Sequence, residues 1–209
     1  KSPKSGFFGS RVASLSSKQG FPSAGARKKQ KFNLGGQGDC GFRSMAAAFV
    51  DNMLHDSHAN SGLCSKLLQR HIELFPEHQI FGRTPLQCLE FMRQKPNFIS
   101  KLAFTVRQIA VDEMVTNPEL YRGVAVDVQT MMGEDQQTTP AKMREPGTWI
   151  DETAIAAVAN ALKVPITVRV TEANKELFQS LHYGPTETQK TSEKQADRIE
   201  IVLQDKHYQ

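Results

Sequence analysis

NLGGQGDCGFRSMAAAF, residues 33–49, decides how this chain is read. Four glycines fall within NLGGQGDCG (33–41), and glycine tolerates backbone angles that other residues avoid, so the segment is an irregular loop. A helix follows at once. Phe42, Met45, Phe49 and Met53 recur at helical spacing, and Ala46, Ala47 and Ala48 favour helix locally. Cys40 sits where loop becomes helix. A helix N-terminus carries unpaired amides and a partial positive charge, both of which stabilise a thiolate. The amides of Gly36, Gln37, Gly38 and Cys40 can converge there as an oxyanion nest. The plainer alternative is a cysteine used as a small apolar filler. A phosphate-binding loop is disfavoured, because no Lys-Ser/Thr follows the last glycine and no apolar strand leads in.

Outward from this loop, the middle of the chain reads as helical. Leu67, Leu68, Ile72 and Phe75 share a face ahead of Pro76. Thr84-Pro85 is a helix start, with Thr as cap and Pro in the first position, and Leu86, Leu89 and Met92 continue it. Ile99, Leu102, Val106 and Ile109 form a further stripe, and a fourth helix is expected over Leu120–Met132. Residues 133–148 read as a polar loop. Asp151 caps a helix whose apolar face is Ile155, Val158, Ala159 and Leu162. Val164, Ile166, Val168 and Val170 alternate as a strand, Leu177, Gln179 and Leu181 suggest a weaker strand ending at Gly184-Pro185, and Ile199, Ile201 and Leu203 alternate as the last. A helical block followed by late strands predicts an α+β fold with a small sheet and flanking helices.

Composition narrows the class. The chain has 209 residues, 39% hydrophobic and 23% charged, which is enough for one domain with a real core. No apolar run approaches the ~20 residues of a membrane span, and no signal-peptide pattern opens the sequence. The net charge of +4 is unevenly spread. Residues 1–31 hold eight of the 26 bases and none of the 22 acids, so the remainder carries 18 bases against 22 acids. A nucleic-acid face on the folded body is therefore not expected. The basic segment 1–31 reads as flexible, able at most to touch acidic surfaces. Three widely spaced cysteines, Cys40, Cys64 and Cys88, argue against a disulfide framework and for a reducing compartment. Cys64 and Cys88 read as packed helix residues, and no CxxC or HxxxH-type spacing marks a metal site. No metal and no cofactor are expected.

A thiol nucleophile needs a base, and the histidines are His55, His58, His71, His78, His182 and His207. His55 and His58 flank a polar, solvated stretch. His71 lies beside an apolar helical stripe, as a core or surface residue, and His78 falls in a loop. His182 and His207 each precede a tyrosine at the end of a strand-like segment, and His207 follows the clearer strand.

Three blocks together resemble the ovarian-tumour (OTU) deubiquitinases. The stretch 33–49 is similar to their cysteine loop, usually Gly-Asp-Gly-x-Cys followed by Phe-Arg and a small-residue helix. EPGTWIDETAIAAVANALKVPITV at 145–168 resembles their Gly-x-Trp loop, helix and strand, and IEIVLQDKHYQ at 199–209 resembles their last strand and terminal His-Tyr. The blocks stand in the family's order and cover about a quarter of the chain. The resemblance implies an OTU/papain-like cysteine protease fold over residues 32–209, with about 60–132 as a helical insertion lobe of the kind seen in effector-type members. It implies Cys40 as nucleophile, His207 as general base, and backbone amides of Gln37 and Cys40 as the oxyanion hole, supported by Gly36, Gly38 and Trp149. The substrate it implies is ubiquitin and polyubiquitin, cleaved after the C-terminal Gly-Gly, in the cytoplasm or, for a secreted effector, a host cytosol.

Two positions depart from the family pattern. Gln37 stands where an Asp is usual, although a backbone amide can still donate from there. Gln209 stands where an Asp or Asn commonly orients the histidine. A Gln carbonyl can accept from the imidazole but brings no charge, so Asp39 and Asp205 are equal candidates for the third member. These departures keep open a silent ubiquitin-binding module; a different Cys-His protease or acyltransferase is the other alternative, against which the order of the blocks speaks.

Overall fold

In the computed structural model, residues 38–55, 61–121, 140–148, 152–171, 179–184, 199–204 and 207–208 are described below, all within the unit formed by residues 31–209. Among the described residues, six α-helices and a four-stranded sheet follow in chain order. The helices are α1 (Cys40–His55), α2 (Ser61–Leu74), α3 (Pro85–Met92), α4 (Phe98–Thr116), α5 (Pro140–Met143) and α6 (Glu152–Leu162). The strands are β1 (Ile166–Thr171), β2 (Gln179–Tyr183), β3 (Ile199–Gln204) and β4 (His207–Tyr208). This is an α+β architecture.

α1 buries Phe42, Met45, Ala46, Phe49 and Met53, the inward stripe that its spacing dictates. α3 begins as the sequence requires. Thr84 Oγ1 accepts from the Gln87 amide at 3.3 Å, and Gln87 Oε1 accepts from the Thr84 amide at 3.0 Å, a closed capping box with Pro85 in the first turn.

α4 is the centre of the molecule. Leu102, Val106 and Ile109 form the expected face, but Ala103, Thr105, Arg107, Gln108, Ala110 and Val111 are buried as well. A helix buried on nearly all sides must have partners all round. α1, α2 and α6 supply them, and α5 closes a fourth side. The 60–132 stretch therefore contributes α4 directly to the core.

The sheet order is β2-β1-β3-β4. β1 pairs antiparallel with β2, placing Val168 opposite Leu181, and parallel with β3, placing Val168 opposite Ile201. These apolar partners line up because alternate residues share a face. Ile166, Val168, Ile199 and Ile201 join the core against the helices. β4 extends the sheet by pairing Gln204 with His207 and Leu203 with Tyr208.

Three differences from the sequence expectations have physical causes. The helix expected from Leu120 does not start there: Pro118–Leu120 is a single 3₁₀ turn, its first residue a proline, and Tyr121 caps it with its amide on the Pro118 carbonyl. Residues 122–139 lie outside the described residues. The polar loop expected over 133–148 contains the one-turn helix α5, pinned by the fully buried Met143. The strand expected to be the last, β3, is followed by β4, because His207 and Tyr208 pair back onto Gln204 and Leu203.

Candidate active site

Asp39 and Cys40 open α1. The Asp39 carbonyl accepts from the Arg43 amide at 2.9 Å, which makes Asp39 the N-cap and leaves the Cys40 amide among those without an intrahelical acceptor. Cys40 is a free thiol, 6% exposed. Its position is fixed from below, since Phe42 in the same turn and Met45 in the next lie in the core. Gly38 has φ +77°, and a Cβ there would lie 2.1 Å from the Gly147 carbonyl oxygen. Only glycine allows the cysteine loop to touch the 147 backbone in this way.

Arg107 holds that contact together. Its side chain, 1% exposed, rises from α4 beneath the loop. Nη1 donates to the Met143 carbonyl at 2.8 Å. Nη2 donates to the Thr148 carbonyl at 2.8 Å, to the Gly38 carbonyl at 3.2 Å, and to Asp39 Oδ1. The guanidinium carbon stands 4.5 Å from the centre of the Phe42 ring. Asp39 Oδ2 accepts from the Gly147 amide at 2.9 Å. Burial pulls the Arg107 guanidinium below its ordinary pKa, and hydrogen bonding and charge from Asp39 oppose that shift. Beside it on α4, Gln108 donates to the Arg144 carbonyl at 3.0 Å and accepts from the Arg144 guanidinium at 3.1 Å.

Sequence reading passed over Arg107. An arginine one position after Val106 looks like the solvated flank of a stripe. The available signal was its neighbourhood: apolar or small residues at 102, 103, 106, 109, 110 and 111 leave no broad polar face for it to occupy.

On the other side of the site, β4 carries His207 and packs against α1, so the elements bearing Cys40 and His207 touch. The His207 side chain lies outside the described residues. His182 sits on β2, the sheet edge farthest from β4, exposed, with Nδ1 3.0 Å from Thr167 Oγ1. His55 is exposed and bonded to the Asp51 carbonyl at 2.7 Å.

His71 and His78 are both buried. His71 Nε2 lies 2.8 Å from His78 Nδ1, and His71 Nδ1 lies 2.8 Å from Thr105 Oγ1. They belong to the core between α2 and α4, with Phe75 and Phe98 beside them. His78, expected in a loop, is on a 3₁₀ turn, Pro76–His78. Cys88 is buried on α3, its thiol 3.8 Å from the Ile80 carbonyl. Gly36, Gln37, Trp149, Asp205, Gln209 and His58 lie outside the described residues, as does the side chain of Cys64.

No protein-family profile matches the chain, and no curated protein matches it. Solved structures do. A complex of h/ceOTUB1 with ubiquitin aldehyde and UBCH5B~Ub aligns at a TM-score of 0.52 and 15% identity, covering 83% of this chain and 72% of that one. A ceOTUB1 complex with ubiquitin aldehyde and UBC13~Ub aligns at 0.51 and 16% identity, covering 83% and 75%. This is the OTU fold. At such low identity the OTU likeness is one of backbone architecture, and the chemistry must be argued from this chain's own residues.

Proposed function

We propose that the chain is a thiol-dependent deubiquitinase acting in a reducing cytoplasmic compartment. One observation carries the proposal: within an OTU fold, a free cysteine opens α1 while the strand bearing His207 packs on that same helix. The OTUB1 structures it resembles are complexes with ubiquitin aldehyde, which favours ubiquitin over another acyl donor.

In this mechanism His207 takes the Cys40 proton, and the thiolate attacks the carbonyl carbon of ubiquitin's terminal glycine. The amides of Gln37 and Cys40 receive the tetrahedral oxyanion, aided by the positive end of α1. His207 returns its proton to the departing lysine amine as the C–N bond breaks. Water, activated by the same imidazole, then opens the thioester and frees the thiol. Gln209, Asp39 and Asp205 are the candidates for orienting the imidazole, and Trp149 for shielding it.

A ubiquitin probe with a C-terminal electrophile tests this. The expected result is a covalent adduct that Cys40→Ala abolishes and His207→Ala strongly slows. Binding without an adduct would make the chain a silent ubiquitin-binding module. No interaction with ubiquitin would point to a different Cys-His enzyme.

A further inference from the structure

We infer that the Asp39–Arg107 pair is a positioning device that sets where Cys40 stands relative to the 143–148 segment. As a statement about catalysis this rests on the function proposed above. The contact geometry exists independently of it.

Asp39 lies next to the nucleophile, the place from which a third catalytic member could act. Its carboxylate is already engaged. Oδ1 accepts from Arg107, and Oδ2 accepts from the Gly147 amide. The pair therefore spans the gap between the loop entering α1 and the loop leaving α5. Arg107 binds both loops a second time through the Gly38 and Thr148 carbonyls, and reaches α5 itself through Met143. The planar fork of a guanidinium satisfies these divergent acceptors at once, and a lysine ammonium on a flexible stem cannot reproduce that arrangement. The anchor is held because α4 is buried nearly all round and the guanidinium rests on Phe42, in the first turn of α1.

This arrangement engages both Asp39 carboxylate oxygens in the frame of the site. It also explains why the residue before the nucleophile is acidic here. A negative charge beside a thiolate is unfavourable by itself, but the buried guanidinium compensates it.

A purely structural ion pair predicts that activity follows stability. A positioning pair predicts that the two separate. The decisive variant is the double substitution Asp39→Ala with Arg107→Met, which removes both charges and leaves neither one buried alone. Replacing a buried ion pair with apolar groups commonly preserves stability, whereas deleting one partner does not. The expected melting temperature of the double variant is therefore above that of either Asp39→Ala or Arg107→Met. Its adduct-forming rate constant with the ubiquitin probe should nevertheless fall by about 100-fold, the scale of a misplaced reacting group, with probe affinity within about twofold of wild type. Arg107→Lys should fail to restore the rate.

Hydrogen exchange supplies a readout that needs no ubiquitin. In the double variant the Gly147 amide and the Arg43 amide, which donate to the Asp39 carboxylate and carbonyl, should lose protection while α4 and α6 keep theirs. If the double variant retains the wild-type rate, or if those amides stay protected, the positioning role is wrong. If wild type forms no adduct but the exchange pattern changes as stated, the deubiquitinase proposal fails and the clamp stands.

Discussion

Acid should loosen this protein through His71 and His78 before most carboxylates titrate. With the Thr105 hydroxyl assigned as donor to the Lys101 carbonyl at 3.2 Å, the matching assignment has His71 Nδ1–H donating to Thr105 Oγ1. His71 Nε2 is then the acceptor for His78 Nδ1–H, and both rings are neutral. A proton on His71 Nε2 removes that acceptor and places a cation in the core. Burial, the neighbouring His78 and the ammonium of Lys101 push the His71 pKa down to about 4, against the opposing pull of Glu77. His78 is lowered too, by burial and by Lys101 and Lys95.

Because the folded value lies below the unfolded value of ~6.5, the unfolded chain binds more protons between those limits. Stability from His71 is therefore complete above about pH 6.5 and is lost as the pH falls toward about 4. At 1.36 kcal/mol per unit, His71 alone makes this loss on the order of 3 kcal/mol, a large part of an ordinary domain's 5–15 kcal/mol. Urea unfolding at intervals from pH 7 to 4.5 measures it. His71→Gln should be less stable at pH 7, yet its stability should fall less steeply with acid, by up to about 1.4 kcal/mol per pH unit. Parallel pH profiles for wild type and His71→Gln would refute the assignment, as would an NMR titration placing the His71 midpoint near 6.5.

Three further outcomes can be checked. Gly38→Ala should melt well below wild type and lose at least about 100-fold in ubiquitin-substrate hydrolysis, since its Cβ would sit 2.1 Å from the Gly147 oxygen and its φ is left-handed; a near-normal kcat would contradict the close approach. Thr84→Ala should cost about 1 kcal/mol in urea unfolding through loss of the capping box, with hydrolysis unchanged. His182→Ala and Cys88→Ser should both keep wild-type hydrolysis rates, and the latter should lose stability on thermal melting because its buried thiol fills core space.

The parts of the fold that were legible are those whose cause is local. Phe42, Met45, Phe49 and Met53 specify α1 by spacing alone, Thr84-Pro85 announces α3, and the alternation of Ile166–Val170 and Ile199–Leu203 yields β1 and β3. The candidate nucleophile was legible for the same reason, since a glycine loop running into a helix is a short-range pattern. What escaped depends on distant partners. Arg107 is explained only by Gly38, Asp39, Met143 and Thr148. His71 needed Thr105, which is supplied by a different helix. β4 needed β3 to pair with, and its two residues carry no period of their own.

The guanidinium in the middle of α4 also bears on how the chain reaches its native state. Its acceptors come from segments on both sides of it in sequence, one near residue 39 and one near residue 145. A partly folded species that has gathered only one of these segments leaves part of the guanidinium's donor set without its native acceptors. The full hydrogen-bond set of this one side chain is thus complete only when both segments have arrived.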